Sequence, residues 1–226
     1  MRIPTEWNHY RFLDYHQSTP WAIGFVSLSP FNECFIWEEL SISPKTNNTL
    51  TIANEMAKVS QDYKFTFDVI DPLAGITQVN TTRSTTQDLN GYFSEFQQAG
   101  ICTGGYFVPA DTKSERGRLK IKERLNNSII CKEPFNNKAE DYRGNPDVVN
   151  MSNEPYLPTI WVFANCKQIR LSLKNWREEK GKPSQPYSHF CTGLEFLMKD
   201  AKFRPPPLIT EKMPDRQKYR RFKGRR

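Results

Sequence analysis

Two aspartates stand at the ends of hydrophobic segments, where a β-strand stops and solvent begins. Asp14 closes Tyr10-Arg11-Phe12-Leu13-Asp14, and Asp71 follows Phe65-Thr66-Phe67-Asp68-Val69-Ile70 and precedes Pro72. Carboxylates at neighbouring strand ends are hard oxygen donors, the type that holds a divalent cation against phosphate oxygens. An Asp-Pro step is also ordinary turn chemistry, so residue type alone leaves both readings open. His16 lies two residues beyond Asp14, and His189 opens a late apolar segment. Either histidine has the chemistry to move a proton or touch phosphate, and either also suits a surface or packing role.

The elements that position these residues follow from hydrophobic patterning. Segments 10–15, 21–28 and 33–40 read as three successive strands, the second apolar enough to be central. Ser29-Pro30-Phe31-Asn32 reads as a hairpin turn. A helix over 49–62, with Leu50, Ala53, Met56 and Ala57 inward, leads to a strand over 65–70. A polar stretch then precedes a helix over 87–99, stopped by Gly100. A short strand over 106–108 and a helix over 114–127 follow, the helix with Leu119, Lys122 and Leu125 spaced along it. Residues 132–158 are polar, rich in Asn and Pro, and read as an insertion loop. A strand over 159–163, a helix over 166–178, a turn over 179–186 and a last helix over 188–200 complete the pattern. This is a mixed α/β order in which three hairpin-linked strands precede βα units, as in a ribonuclease-H-like core.

Charge divides the chain. The net charge is +7, yet residues 202–226 hold ten Lys/Arg against two acids, so the preceding 201 residues sum to −1. We therefore expect a domain over 1–201 and a basic, flexible tail over 202–226. The tail ends with Arg220, Arg221, Lys223, Arg225 and Arg226, and has too little apolar content to fold alone. Such a segment suits polyanions by counterion release, or a solubilising or docking role. Lys113, Arg116, Arg118 and Lys120 form a second basic run, which reads as a solvated face or a phosphate contact. No apolar run approaches the 18 residues of a membrane span, and Met1–Trp7 lacks a signal-peptide apolar region. Five dispersed cysteines with no Cys-x-x-Cys pair read as reduced thiols rather than a zinc site.

The motifs together resemble one family. Phe12-Leu13-Asp14-Tyr15-His16-Gln17-Ser18-Thr19-Pro20-Trp21-Ala22 is similar to the opening of the nuclease domain of viral, bacteriophage-type terminase large subunits. Ile36-Trp37-Glu38-Glu39-Leu40 resembles that family's third strand, and Ile70-Asp71-Pro72-Leu73-Ala74-Gly75 its second acidic motif. Arg116 to Leu125, Phe163 to Ile169 and Ser188-His189-Phe190-Cys191 resemble its later elements, so the likeness spans residues 9 to 200. It implies a ribonuclease-H-like fold and two-metal cleavage of concatemeric double-stranded DNA during packaging, with Mg²⁺ or Mn²⁺ as cofactor. It also implies a packaging ATPase, a portal and a small terminase subunit as partners, and the cytoplasm of the infected host cell as location.

Carried over residue by residue, Asp14 and Asp71 are the first two metal ligands. The family's third acid falls at Thr192, and a neutral hydroxyl is a poor replacement for a carboxylate. Glu195, Asp200, Glu38 and Glu39 are the acids available to take its place. The basic residues Lys113, Arg116, Arg118 and Lys120 are the expected backbone contacts. No Gly-x-x-x-x-Gly-Lys-Ser/Thr loop is present, so a motor is expected on another chain or another part of the same one. Two further readings remain at this point: a catalytically weakened DNA-binding or motor-docking module, and a structural virion protein with a basic tail.

Overall fold

A computed structural model describes residues 3–77, 82–113, 115–126, 159–176, 178–179, 182–183 and 188–202. The strands are β1 (Asn8–Asp14), β2 (Trp21–Leu28), β3 (Cys34–Ile42), β4 (Phe65–Ile70), β5 (Phe107–Pro109) and β6 (Ile160–Val162). The helices are α1 (Thr49–Ser60), α2 (Thr85–Gln98), α3 (Arg116–Asn126), α4 (Lys167–Asn175) and α5 (Ser188–Met198). The expected insertion at 132–158 and the tail from residue 203 onward lie outside the described residues. So do Arg220, Arg221, Lys223, Arg225 and Arg226.

One sheet runs in the order β5-β4-β1-β2-β3-β6. β1, β2 and β3 pair antiparallel, while β4 lies parallel to β1 and β5 parallel to β4. Strand β6 adds a parallel edge beside β3. The expected three-strand meander followed by parallel βα units is therefore present, and the fold is an α/β, ribonuclease-H-like mixed sheet flanked by helices.

Side chains alternate across each strand, so the sheet divides two cores. On one face Leu13, Ile23, Phe25 and Ile70 pack with Ile52 and Met56 of α1 and Leu89 and Phe93 of α2. On the other, Tyr10, Phe12, Val26 and Val69 pack with Ile121 of α3, Ile169 of α4 and Leu194 and Leu197 of α5. Every residue of β2 is buried, as its apolar composition requires of a central strand.

Local signals explain most boundaries. Asn48 caps α1 through Thr51 N–H, and Ser84 and Gln87 form a reciprocal capping box on α2. Gly100 adopts φ +69° just after α2 and donates to Gln97, while Ile101 N–H reaches back to Phe96, a left-handed stop that glycine favours.

Three details differ from the sequence reading. In α3 the inward residues are Gly117 and Ile121, whereas Leu119 is 56% exposed and Lys122 is exposed. A Cβ on Gly117 would sit 2.0 Å from the Glu195 carbonyl oxygen, so α3 crosses α5 at this glycine and rotates Leu119 outward. Likewise Leu50 of α1 is exposed, because Ile52, Ala53, Met56 and Ala57 already fill the inner face. Near residue 178 the expected helix ends early, at Asn175. Glu178–Glu179 (β7) instead pairs antiparallel with Lys182–Pro183 (β8), inside what the sequence suggests is only a turn.

Candidate active site at the ends of β1 and β4

Asp14 is the last residue of β1, and Asp71 follows the last residue of β4. The parallel register sets Leu13 beside Ile70, and the Asp71 N–H donates to the Leu13 carbonyl at 2.9 Å. Alternation puts Asp14 on the face of Phe12 and Asp71 on the face of Val69, so both carboxylates belong to the α5 side of the sheet.

Each carboxylate is held by a local partner. Asp71 caps the short 3-10 turn Pro72–Gly75, its Oδ1 accepting from Leu73 N–H at 2.7 Å. Asp14, 5% exposed, meets the His189 ring, with Nδ1 and Oδ2 2.6 Å apart. His16 stands edge-on to His189 with ring centroids 5.7 Å apart. The backbone N–H groups of Ser18 and Thr19 both donate to His16 Nδ1, which places the proton of the neutral ring on Nε2.

The electrostatics link Asp71 to Asp14. Burial raises the Asp71 pKa, and the charge of Asp14 raises it further, against the pull of the Leu73 N–H and of His16. The His189 pKa is also raised, chiefly by its hydrogen bond to Asp14 and against the cost of burial.

Close packing of α5 delivers His189 to this edge. A Cβ on Gly193 would lie 2.3 Å from the Phe12 ring, and one on Gly24 of β2 would lie 2.2 Å from it. Phe12 is thus clamped between two residues that lack a side chain, and α5 approaches β1 closely. Below the carboxylates, on the opposite face, Arg11 and Asp68 pair in register with both side chains fully buried. Arg11 Nε donates to Asp68 Oδ1 and one terminal nitrogen to Oδ2, each at 2.7 Å. Ser60 Oγ, the Gly104 carbonyl and Tyr106 N–H complete the network, and Phe65 and Phe93 cover the guanidinium. This bidentate bridge joins β1 and β4 three residues before Asp14 and Asp71.

The sequence matches no family model and no curated protein. Among solved structures the fold is similar to the large terminase of the thermophilic bacteriophage D6E. One crystal form gives a TM-score of 0.50 at 15% identity, and an ADP complex gives 0.51 at 12%. Both alignments cover 88% of this chain and 40% of the D6E chain. The P22 large terminase nuclease domain aligns with a TM-score of 0.48 at 10% identity, over 87% of this chain and 82% of that one. The fold is terminase-like. The chain spans about two fifths of the D6E terminase chains.

Within this terminase-like fold the other candidate residues are dispersed. Thr192 is half-buried on α5, one turn beyond His189, between the His189–Asp14 contact and an Arg118–Glu195 ion pair. Arg118 Nε and Glu195 Oε1 are 2.7 Å apart, so these two side chains satisfy each other. Glu39 accepts from Gln168 and Ile169 N–H at 2.7 and 2.8 Å, capping α4, whose own Cys166 provides no side-chain cap. Glu38 accepts from Glu39 N–H. The register sets Asp14 opposite Ala22 and Ala22 opposite Ser41, so both glutamates lie short of the carboxylate edge and two strands, about 10 Å, away from it. Asp200 lies past the far end of α5, about 16 Å along the helix direction from His189.

Among the basic residues, Lys113 is exposed in the loop leaving the carboxylate edge, and Arg116 is exposed at the start of α3. Lys120 donates to the Lys199 carbonyl at 2.9 Å. Sequence reasoning passes over Asp111, which leaves the same sheet edge as Asp71, since Ala110 N–H donates to the Ile70 carbonyl. β5 has only three residues and little periodic signal. Sequence reasoning also passes over the Arg11–Asp68 bridge, because a charge inside an apolar strand gives no sign of its partner. Among the described residues no group of three or more His, Cys, Asp and Glu side chains is arranged to hold a metal ion.

Proposed function

We propose that this chain is the nuclease domain of a terminase large subunit, a metal-dependent endonuclease that cuts concatemeric viral double-stranded DNA during packaging. The observation that carries the reading is the pair Asp14 and Asp71. They stand on one face, at adjacent parallel strand ends, near enough that one charge disfavours the other.

The donor set fits a hard divalent cation. The carboxylates of Asp14 and Asp71 supply the ligand type that Mg²⁺ or Mn²⁺ takes, and a bound cation would favour the ionised Asp71 that burial and the Asp14 charge disfavour. When bound, such an ion supplies charge neutralisation at phosphate and a more acidic bound water. The chain's own residues do the rest. Asp14, oriented by His189 at Oδ2, and Asp71, oriented by Leu73 N–H at Oδ1, would hold the ion. His16 Nε2–H is the donor for a phosphate oxygen or a departing 3′ oxygen. Lys113 and Arg116 lie on the route by which a DNA backbone reaches this edge. By the same resemblance, a packaging ATPase, a portal and a small terminase subunit are the partners, and the infected host cytoplasm is the setting.

The test is nicking of supercoiled plasmid in Mn²⁺ or Mg²⁺. The reading expects cleavage that disappears in Asp14→Asn and in Asp71→Asn; no cleavage with any divalent metal removes the enzyme reading. The position of Thr192 favours a second reading, a DNA-binding or motor-docking module that keeps the fold with weakened catalysis. That reading expects salt-sensitive duplex binding without nicking.

A further inference from the structure

Two neighbouring clefts flank α3. One, of about 400 Å³, lies between α3, the β4–β5 edge and the end of α5. The other, of about 360 Å³, lies between α3 and the β2–β3 turn. Lys120 and Lys202 line both, so the two clefts adjoin as one surface track, with Lys120 at the boundary donating to the Lys199 carbonyl. Arg116, Lys120 and Arg124 recur at four-residue spacing and share one side of the helix. Lys199 and Lys202 stand on the facing wall. Asp111, Asp200 and Glu123 also line the groove, which leaves it net positive.

The two ends of the groove differ. One reaches Ala110 and Asp111, beside the strand end that carries Asp71. The other ends at Phe31, whose side chain is 69% exposed. The turn that presents Phe31 is stiffened. Asn32 sits at φ +61° and donates to Ser29, and Arg124 donates to the Asn32 and Thr159 carbonyls. An aromatic held in solvent at the end of a cationic track is the arrangement that stacks a base while lysine and arginine follow the phosphates. Each cleft has the volume for a small-ligand-sized group, on the scale of single nucleotides of one strand.

We propose that this groove binds a single nucleic-acid strand, with its phosphates along Arg116, Lys120 and Lys202 and a base on Phe31. The direction of the strand, leading from the Asp14–Asp71 edge, rests on the nuclease reading; the binding does not.

The experiment measures binding of a fluorescent oligothymidylate, about 12 nucleotides long, to the full chain in EDTA. The tail is present in every variant, so differences report the groove. Arg116 and Lys202 are exposed, and the double variant Arg116→Glu/Lys202→Glu is expected to melt like the parent. We expect it to bind at least about 10-fold more weakly near 50 mM salt, with the log–log salt slope reduced by about 1.4 for two lost phosphate contacts. Phe31→Ala tests stacking without a charge change and is expected to weaken binding about 5-fold or more. Affinity within about twofold of the parent in either variant overturns the groove, as does a loss confined to duplex DNA. Sensitive oligothymidylate binding with no plasmid nicking leaves the groove standing and removes the cleavage reading instead.

Discussion

At the scale of residues, the carboxylate edge is costly to stability. The raised Asp71 pKa means that the folded protein binds its proton more tightly than the unfolded chain does. Stability therefore falls as pH rises through the ordinary carboxylate range to the raised value, and stays lower above it. Asp71→Asn keeps a cap for Leu73 N–H and removes that charge. It should raise Tm at about pH 7 while abolishing nicking, and the Tm gain should vanish under acid conditions where Asp71 is protonated. His189 has the same pH dependence, although here it is the charged form that the fold favours. Its raised pKa contributes stability that is complete below about pH 6.5 and lost as pH rises through the elevated value. Denaturation of His189→Gln against the parent should show the largest deficit at the acidic end of that window and the smallest above it. Thr192 occupies the helix turn after His189, where the nuclease reading expects an acid. Thr192→Asp should tighten Mn²⁺ binding, read by calorimetry, and increase nicking; no change in either would mean that Thr192 does not face the metal.

At the scale of elements, two devices hold β1, β4 and α5 in place. The Arg11–Asp68 bridge is fully buried and bidentate, so removing one partner strands a charge in the core. Arg11→Met should cost about 3–5 kcal/mol in chemical denaturation, and a second change, Asp68→Leu, should recover part of it. The clamp on Phe12 depends on Gly24 and Gly193 having no Cβ. Gly193→Ala should cost about 1–3 kcal/mol and reduce nicking more than binding, because it pushes α5 and His189 off β1. A smaller residue at position 12 should restore part of both. These devices also explain which parts of the fold the sequence leaves visible. Alternation in β1–β3 and Gly100 are short-range signals, and the elements they imply are present, whereas the Ser84–Gln87 cap starts α2 two residues before the expected position. The buried face of α3 is not legible in the spacing of Leu119, Lys122 and Leu125, because Gly117 turns inward only where α3 crosses α5 at the Glu195 carbonyl.

At the scale of the whole molecule, positive charge is concentrated in two places, the α3 face and the chain's last residues. Residues 212–226 hold eight Lys/Arg. If all eight neutralise phosphates, removing them should reduce the salt dependence of duplex binding by a log–log slope of about 7. Titration at several salt concentrations reads this directly, and an unchanged slope would place the duplex contact on the folded domain alone. The fold is similar to that of the D6E large terminase at identities of only 15% and 12%. What the sequence by itself determined was the succession of strands and helices and the two aspartates that end strands, because patterning and turn chemistry act over a few residues. Only the tertiary structure decided which charges serve the site. Glu39 caps α4, Glu195 holds Arg118, Asp68 holds Arg11, and Asp14 meets His189 across 175 positions of chain. A carboxylate's role depends on the donors that pack against it, and packing brings those donors from elements far apart in the chain.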